Sequence, residues 1–269
     1  MHEVLIALQD NLASRIALRY AEQLETTVRF NMQAVHIPEL NGSGSAPGSG
    51  WVKKKWENAV VQESREDIAQ LIRNEYFFRF SNTGLKVLKG PRDQAILGEL
   101  EERPYEFFIE GRLHEFEPDG FLAKLETRLY RETACPVLLV KNVVNPSHGT
   151  LILCADEPPR VSGWLARMLS GLPGRLDMAF CQGLSGGSTS GEPQPETVSP
   201  DRDTVLGTFE TIDHLYTATS GELTRLARDY AMVVSVLPET SHPMAQMLAA
   251  VPSAVMLCPA GPAQSEGTK

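Results

Sequence analysis

Short apolar runs alternate along this chain with longer stretches in which apolar positions recur every three or four residues. The first run is Val4 to Leu8, closing on Gln9 and Asp10. Ile16, Ala17, Tyr20, Ala21 and Leu24 then fall on one helical face, with Ser14 as the expected N-cap. Met32 to Ile37 is a second strand. Trp51 to Asn74 reads as a long helix, with Val52, Trp56, Ala59, Val60, Ile68, Leu71 and Ile72 as its core face. A third strand, Leu85 to Leu88, closes at Gly90. Pro91 is expected to open a helix whose apolar stripe is Ile96, Leu97 and Leu100.

The stretch from Tyr105 to Asn142 organises the first half. It holds a strand (Phe107, Phe108, Ile109), a loop beginning at Gly111, a helix marked by Leu122, Leu125 and Leu129, and a strand from Val137 to Val140. Strands joined through a helix lie parallel. The loop follows the carboxyl end of the first of these strands, where open α/β sheets bind ligands.

Residues 142–149, NVVNPSHG, form a polar, turn-rich connector, after which the pattern restarts. The expected strands are Leu151 to Cys154, Met178 to Cys181, Ile212 to Ala218, Met232 to Leu237 and Ala254 to Cys258. Helices lie between them, one around Trp164 and Met168, one opening at Ser220 and a short one around Met247. Fragments of the two halves answer each other: LIALQD and LILCADE, or GELEERPYEFFIEG and GELTRLARDYAMVVSV. The chain therefore reads as an internal duplication. The expected domains are 1–142 and 149–260, the second shorter. The Gly/Ser-rich stretch 41–50 and the low-complexity segment 183–200 are read as flexible insertions.

Composition changes this picture little. Charged residues are 22% and hydrophobic ones 42% of 269 residues, an ordinary globular balance. The net charge of −9 argues against nucleic acid and anionic membrane as partners. Residues 1–148 carry 18 basic and 21 acidic side chains, and residues 149–269 carry 7 and 13, so the second half is the more acidic. No apolar run is long enough to span a bilayer, and MHEVLIALQD reads as a strand, not a leader. Cys135, Cys154, Cys181 and Cys258 stand apart beside apolar runs, as reduced thiols of a cytoplasmic protein do.

The first copy resembles the universal stress protein family in its tandem form. The resemblance rests on a strand ending in Asp10, the helix SRIALRYAEQLE, a loose connection before a long helix, the turn and helix KGPRDQAILGEL, and a final helix running into CPVLLV. It implies two tandem five-stranded parallel open sheets, order 3-2-1-4-5, with helices on both faces. One class of that family binds ATP through a loop after the fourth strand: Gly, two residues, Gly, nine residues, Gly, then Ser or Thr. Glycines let the backbone approach phosphates, and amide N–H groups cradle them. Here the loop begins with Gly111, but His114 holds the second glycine position and Ala123-Lys124 the later Gly-Ser pair. Glu110, Glu115, Glu117 and Asp119 would repel a triphosphate. The corresponding loop of the second copy, VLPETSHPMAQ, has no glycine.

No HExxH, no GxSxG elbow and no Ser/His/Asp grouping occurs, so the expectation is a non-enzyme. Two functions follow. The first is a stress-response regulatory or interaction module without a cofactor. It would self-associate through its final strands, as an intramolecular pseudo-dimer or a homodimer, or engage a regulatory protein. The second is an ATP or AMP sensor using one degenerate site built from Asp10, Val35, Gly111, Arg112, His114 and Lys124. His36, at the end of the second strand, either lines that cleft or is structural.

Overall fold

A computed structural model of the chain describes residues 2–38, 50–76, 84–112, 118–141, 148–155, 159, 161–181, 209 and 212–259. Most of the Gly/Ser stretch, His114, Asp156 and the 183–200 segment lie outside the described residues. The chain divides into two compact units. One takes Met1–His114 with Thr127–Val143, the other Glu115–Glu126 with Val144–Lys269.

In the first unit β1 (Glu3–Leu8), β2 (Asn31–His36), β3 (Leu85–Val87), β4 (Phe107–Gly111) and β5 (Val137–Val140) pair in parallel, in the order β3-β2-β1-β4-β5. This is the strand order that the resemblance implies. The central strands read as continuous apolar runs because both faces are covered: Val4, Leu5, Ile6, Phe107, Phe108 and Ile109 have no exposed surface. The helices are α1 (Leu12–Thr27), α2 (Trp51–Glu75), α3 (Arg92–Glu102) and α5 (Arg128–Glu132).

In the second unit β6 (Thr150–Cys154), β7 (Leu176–Cys181), β8 (His214–Ala218), β9 (Met232–Val236) and β10 (Ala254–Cys258) are parallel as well. Their order, β8-β7-β6-β9-β10, repeats that of the first unit. The helices are α4 (Pro118–Leu125), α6 (Gly163–Gly171), α7 (Ser220–Leu226) and α8 (Pro243–Ala250), with a 3-10 turn at Ala227–Asp229.

Several local expectations need correction. Asn11, not Ser14, caps α1: its side chain accepts from the Ser14 N–H at 2.9 Å, while the Ser14 hydroxyl accepts from the Gln9 N–H. Either residue type can cap, and the strand ends early enough for Asn11 to take the place. Pro91 stands just before α3, its carbonyl accepting from the Ala95 N–H.

The single helix expected over Leu122 to Leu129 is two. Thr127 is extended (φ −66, ψ 151) and breaks the ladder. The halves serve different cores: α5 buries Leu129 and Tyr130 beside α3, and α4 buries Phe121 and Leu125 beside α8. In α2 only the last turns are buried, through Ile68, Leu71, Ile72 and Glu75. Trp51 is 74% and Val52 46% exposed, so the expected core face covers only part of the helix.

Candidate functional site

The crevice of the first unit opens where β1 and β4 end, at the point where strand order reverses. Ala7, Leu8, Gln9, Asn11, Ser14, Ile37, Arg92, Glu110 and Gly111 line it. Its free volume is about 20 Å³, room for about one water.

Two of the lining side chains, Arg92 and Glu110, are tied to each other and to Tyr130, which is not itself part of the lining. Glu110, the last buried position of β4, is only 6% exposed. Arg92 at the start of α3 donates from Nη2 to its Oε1 at 2.8 Å, and the Tyr130 hydroxyl on α5 donates to its Oε2 at 2.6 Å. A buried carboxylate needs such partners, and these give it one charge and two hydrogen bonds. Burial, and after it the Glu110 charge, hold the Tyr130 hydroxyl well above the usual tyrosine range, so it stays a donor.

Gly111 has a packing role. A Cβ built there would stand 2.0 Å from the Ala13 carbonyl oxygen and 2.5 Å from its carbon. The glycine thus lets the first turn of α1 lie on the end of β4.

The other expected residues that are described are not part of this lining. Asp10 is 65% exposed and faces Arg15 at 3.9 Å, while Arg15 also approaches Glu75, which binds Arg19 Nε at 2.6 Å. Val35 is buried in β2, paired with Ala7 and Lys86. Arg112 follows β4, and its backbone N–H donates to the Val140 carbonyl at 2.8 Å. Lys124 lies on α4 in the second unit. His36 is buried, its Nδ1 2.9 Å from the Leu8 carbonyl, which makes it a tie between β1 and β2.

Sequence reading singled out Glu110 only as a repelling charge and passed over Arg92 and Tyr130. One signal was there: an acidic residue closing the apolar run FFIE must find a partner when both sheet faces are covered. The partner's identity is not local information.

In the second unit the ladders set Val236 where the first has Gly111, and Ser235 where it has Glu110. The loop after β9 turns directly into α8. His242 caps that helix, its Nδ1 accepting from the Met244 N–H, with Pro243 in the first turn.

No protein-family model and no curated protein matches the sequence. Solved structures do share its fold. A universal stress protein from Archaeoglobus fulgidus superposes with TM-score 0.59 at 15% identity, over 96% of each chain. A functionally unknown protein from Pseudomonas aeruginosa superposes with TM-score 0.55 at 14% identity, over 96% of this chain and 92% of that one. The fold is therefore that of the tandem universal stress proteins. Among the described residues, no helix is long and apolar enough to cross a membrane.

Proposed function

We propose that this chain is a tandem universal-stress-type protein that works without catalysis, as a cytoplasmic regulatory or interaction module, and that its first crevice does not take ATP. The observation that carries this reading is the Arg92–Glu110–Tyr130 cluster. Its Arg92 and buried Glu110 carboxylate line the crevice, whose free volume is about 20 Å³. A triphosphate entering there would meet the Glu110 charge at low dielectric and would have to displace Arg92 from it. Gly111 is spent on helix packing. Function then rests on surfaces: self-association through β5 and β10, or a regulatory protein partner.

The test is to denature the purified protein, assay released nucleotide, and titrate ATP and AMP into the nucleotide-free chain by calorimetry. Absence of nucleotide and of saturable heat is expected. Stoichiometric nucleotide, or micromolar affinity lost in Lys124→Ala or Asp10→Ala, would overturn the reading in favour of a sensor.

A further inference from the structure

The amino end of the second unit's sheet carries a feature that the first unit lacks. Ladder register aligns the two units residue by residue. Val4 pairs with Met32 and Phe107, and Thr150 pairs with Leu176 and Met232. His2 therefore corresponds to His148, Glu3 to Gly149, Asn31 to Arg175 and Glu106 to Ala231.

In the first unit this corner is saturated. His2 Nδ1 lies 2.7 Å from Glu106, and Asn31 donates to the Glu3 carboxylate at 2.9 and 3.0 Å. In the second unit Gly149 and Ala231 stand in place of Glu3 and Glu106, Arg175 in place of Asn31, and the buried Asp177 in place of Gln33. His148, Arg175, Arg228 and Asp229 border an open surface concavity of about 480 Å³. Among the described residues, neither His148 nor Arg228 has a hydrogen-bond or ion-pair partner.

The floor of this corner is stitched together. The Thr150 N–H donates to the Arg175 carbonyl at 2.8 Å, and the Ala231 N–H to the Gly149 carbonyl at 3.0 Å. Gly149 permits this closeness: its φ is +80, and a Cβ there would stand 2.2 Å from the Arg175 carbonyl oxygen. Arg175 is held from behind, its Nε 3.2 Å from the buried Asp177 and its guanidinium 4.6 Å from the Tyr230 ring centroid. A guanidinium fixed in this way keeps its two NH₂ groups for a planar or tetrahedral oxyanion.

We propose that this corner binds a phosphorylated small molecule, with His148, Arg175 and Arg228 on its phosphoryl oxygens and Asp229 accepting from a ligand hydroxyl. The site lies at the amino ends of its own unit's strands, and the proposal is independent of whether the first unit's crevice binds nucleotide.

The experiment titrates inorganic pyrophosphate into the full chain by calorimetry at constant ionic strength, beside methyl phosphate and ribose 5-phosphate. Saturable binding is expected, weakened about tenfold or more in Arg228→Gln, as loss of a charge-assisted contact does. Ala231→Glu, which restores the carboxylate of the first unit, should abolish it. Binding should persist when Lys53, Lys54 and Lys55, an exposed basic run at the start of α2, are all changed to Ala. Ribose 5-phosphate should bind more tightly than methyl phosphate, a difference lost in Asp229→Asn. Absence of saturable heat overturns the proposal. So does binding unchanged in Arg228→Gln, a variant at an exposed position that leaves the fold intact, or binding lost equally in the lysine variant.

Discussion

The Tyr130 hydroxyl donates at 2.6 Å to the carboxylate of Glu110, a residue that lines the crevice where the strand order of the first unit reverses. The pair joins α5 to β4, and Arg92 adds α3 through the other carboxylate oxygen. Removing the carboxylate strands a buried hydroxyl and an arginine that is itself mostly covered. Glu110→Ala should cost about 3 kcal/mol, within the range for breaking a buried charged network. Glu110→Gln, which keeps an acceptor, should cost less. Urea midpoints decide: an alanine variant within about 0.5 kcal/mol of the parent would mean that the cluster contributes no stability.

Two glycines should respond in opposite directions. Gly111→Ala forces a Cβ to 2.0 Å from the Ala13 carbonyl oxygen. Backbone on both sides must shift, at a cost of about 3 kcal/mol. Gly98 lies inside α3 with nothing within 4 Å of its Cβ position. Gly98→Ala should stabilise by about 0.5–1 kcal/mol, the helix-propensity difference. Thermal melts of the two variants check both signs, and equal shifts would refute the assigned role of Gly111.

Asp177 is the fully buried carboxylate of the second unit. It accepts from the Tyr230 hydroxyl and faces Arg175 at 3.2 Å and His214 Nδ1 at 3.0 Å. His214 lies on β8, which pairs with β7. Asp177→Ala leaves the buried Tyr230 hydroxyl without its acceptor, while Arg175 and His214 are solvated, so it should destabilise by about 1–3 kcal/mol. It should also loosen β8 first. Hydrogen exchange should show the β8 amides losing protection ahead of those of β9. Uniform loss across both strands would contradict a local anchoring role.

Alkaline pH should act through two opposed groups. Burial lowers Lys141 to about 8. Its folded form sheds a proton before the unfolded chain does, so stability rises from about pH 8 toward pH 10.5. Burial raises Cys154 and Cys258 to about 12. Their contribution is intact below pH 9 and is lost as unfolded thiols ionise between pH 9 and 12. Each group changes stability by up to about 1.4 kcal/mol per pH unit within its window. The tyrosines Tyr20, Tyr105, Tyr130 and Tyr230, all pushed upward by burial, add to the loss above pH 10. Urea midpoints should rise slightly from pH 8 to 9 and fall beyond 10, with the rise absent in Lys141→Met. A flat profile to pH 11 would show these groups to be solvated.

Strand and helix order and the duplication were legible in the sequence, and the 3-2-1-4-5 arrangement was what the family resemblance implied. Apolar runs such as Val4 to Leu8, Phe107 to Ile109 and Val137 to Val140 are local signals, and parallel strands covered on both faces leave them unbroken. Spacing also showed that the loop after Gly111 departs from a phosphate-cradling pattern. Sequence reading went too far at α2, where helical periodicity continues past the part that any described core covers. It merged α4 with α5 because both keep the same apolar spacing across Thr127.

Only the tertiary structure decided what fills the crevice. Arg92, Glu110 and Tyr130 lie on separate elements, and no spacing rule links a helix start, a strand end and a later helix. The same holds for Gly111, whose constraint comes from Ala13, and for the corner where His148 meets Arg175 and Arg228. Periodicity reports which face a residue occupies. Which side chains meet across elements is set by ladder register and close packing, and those exist only once the chain has folded.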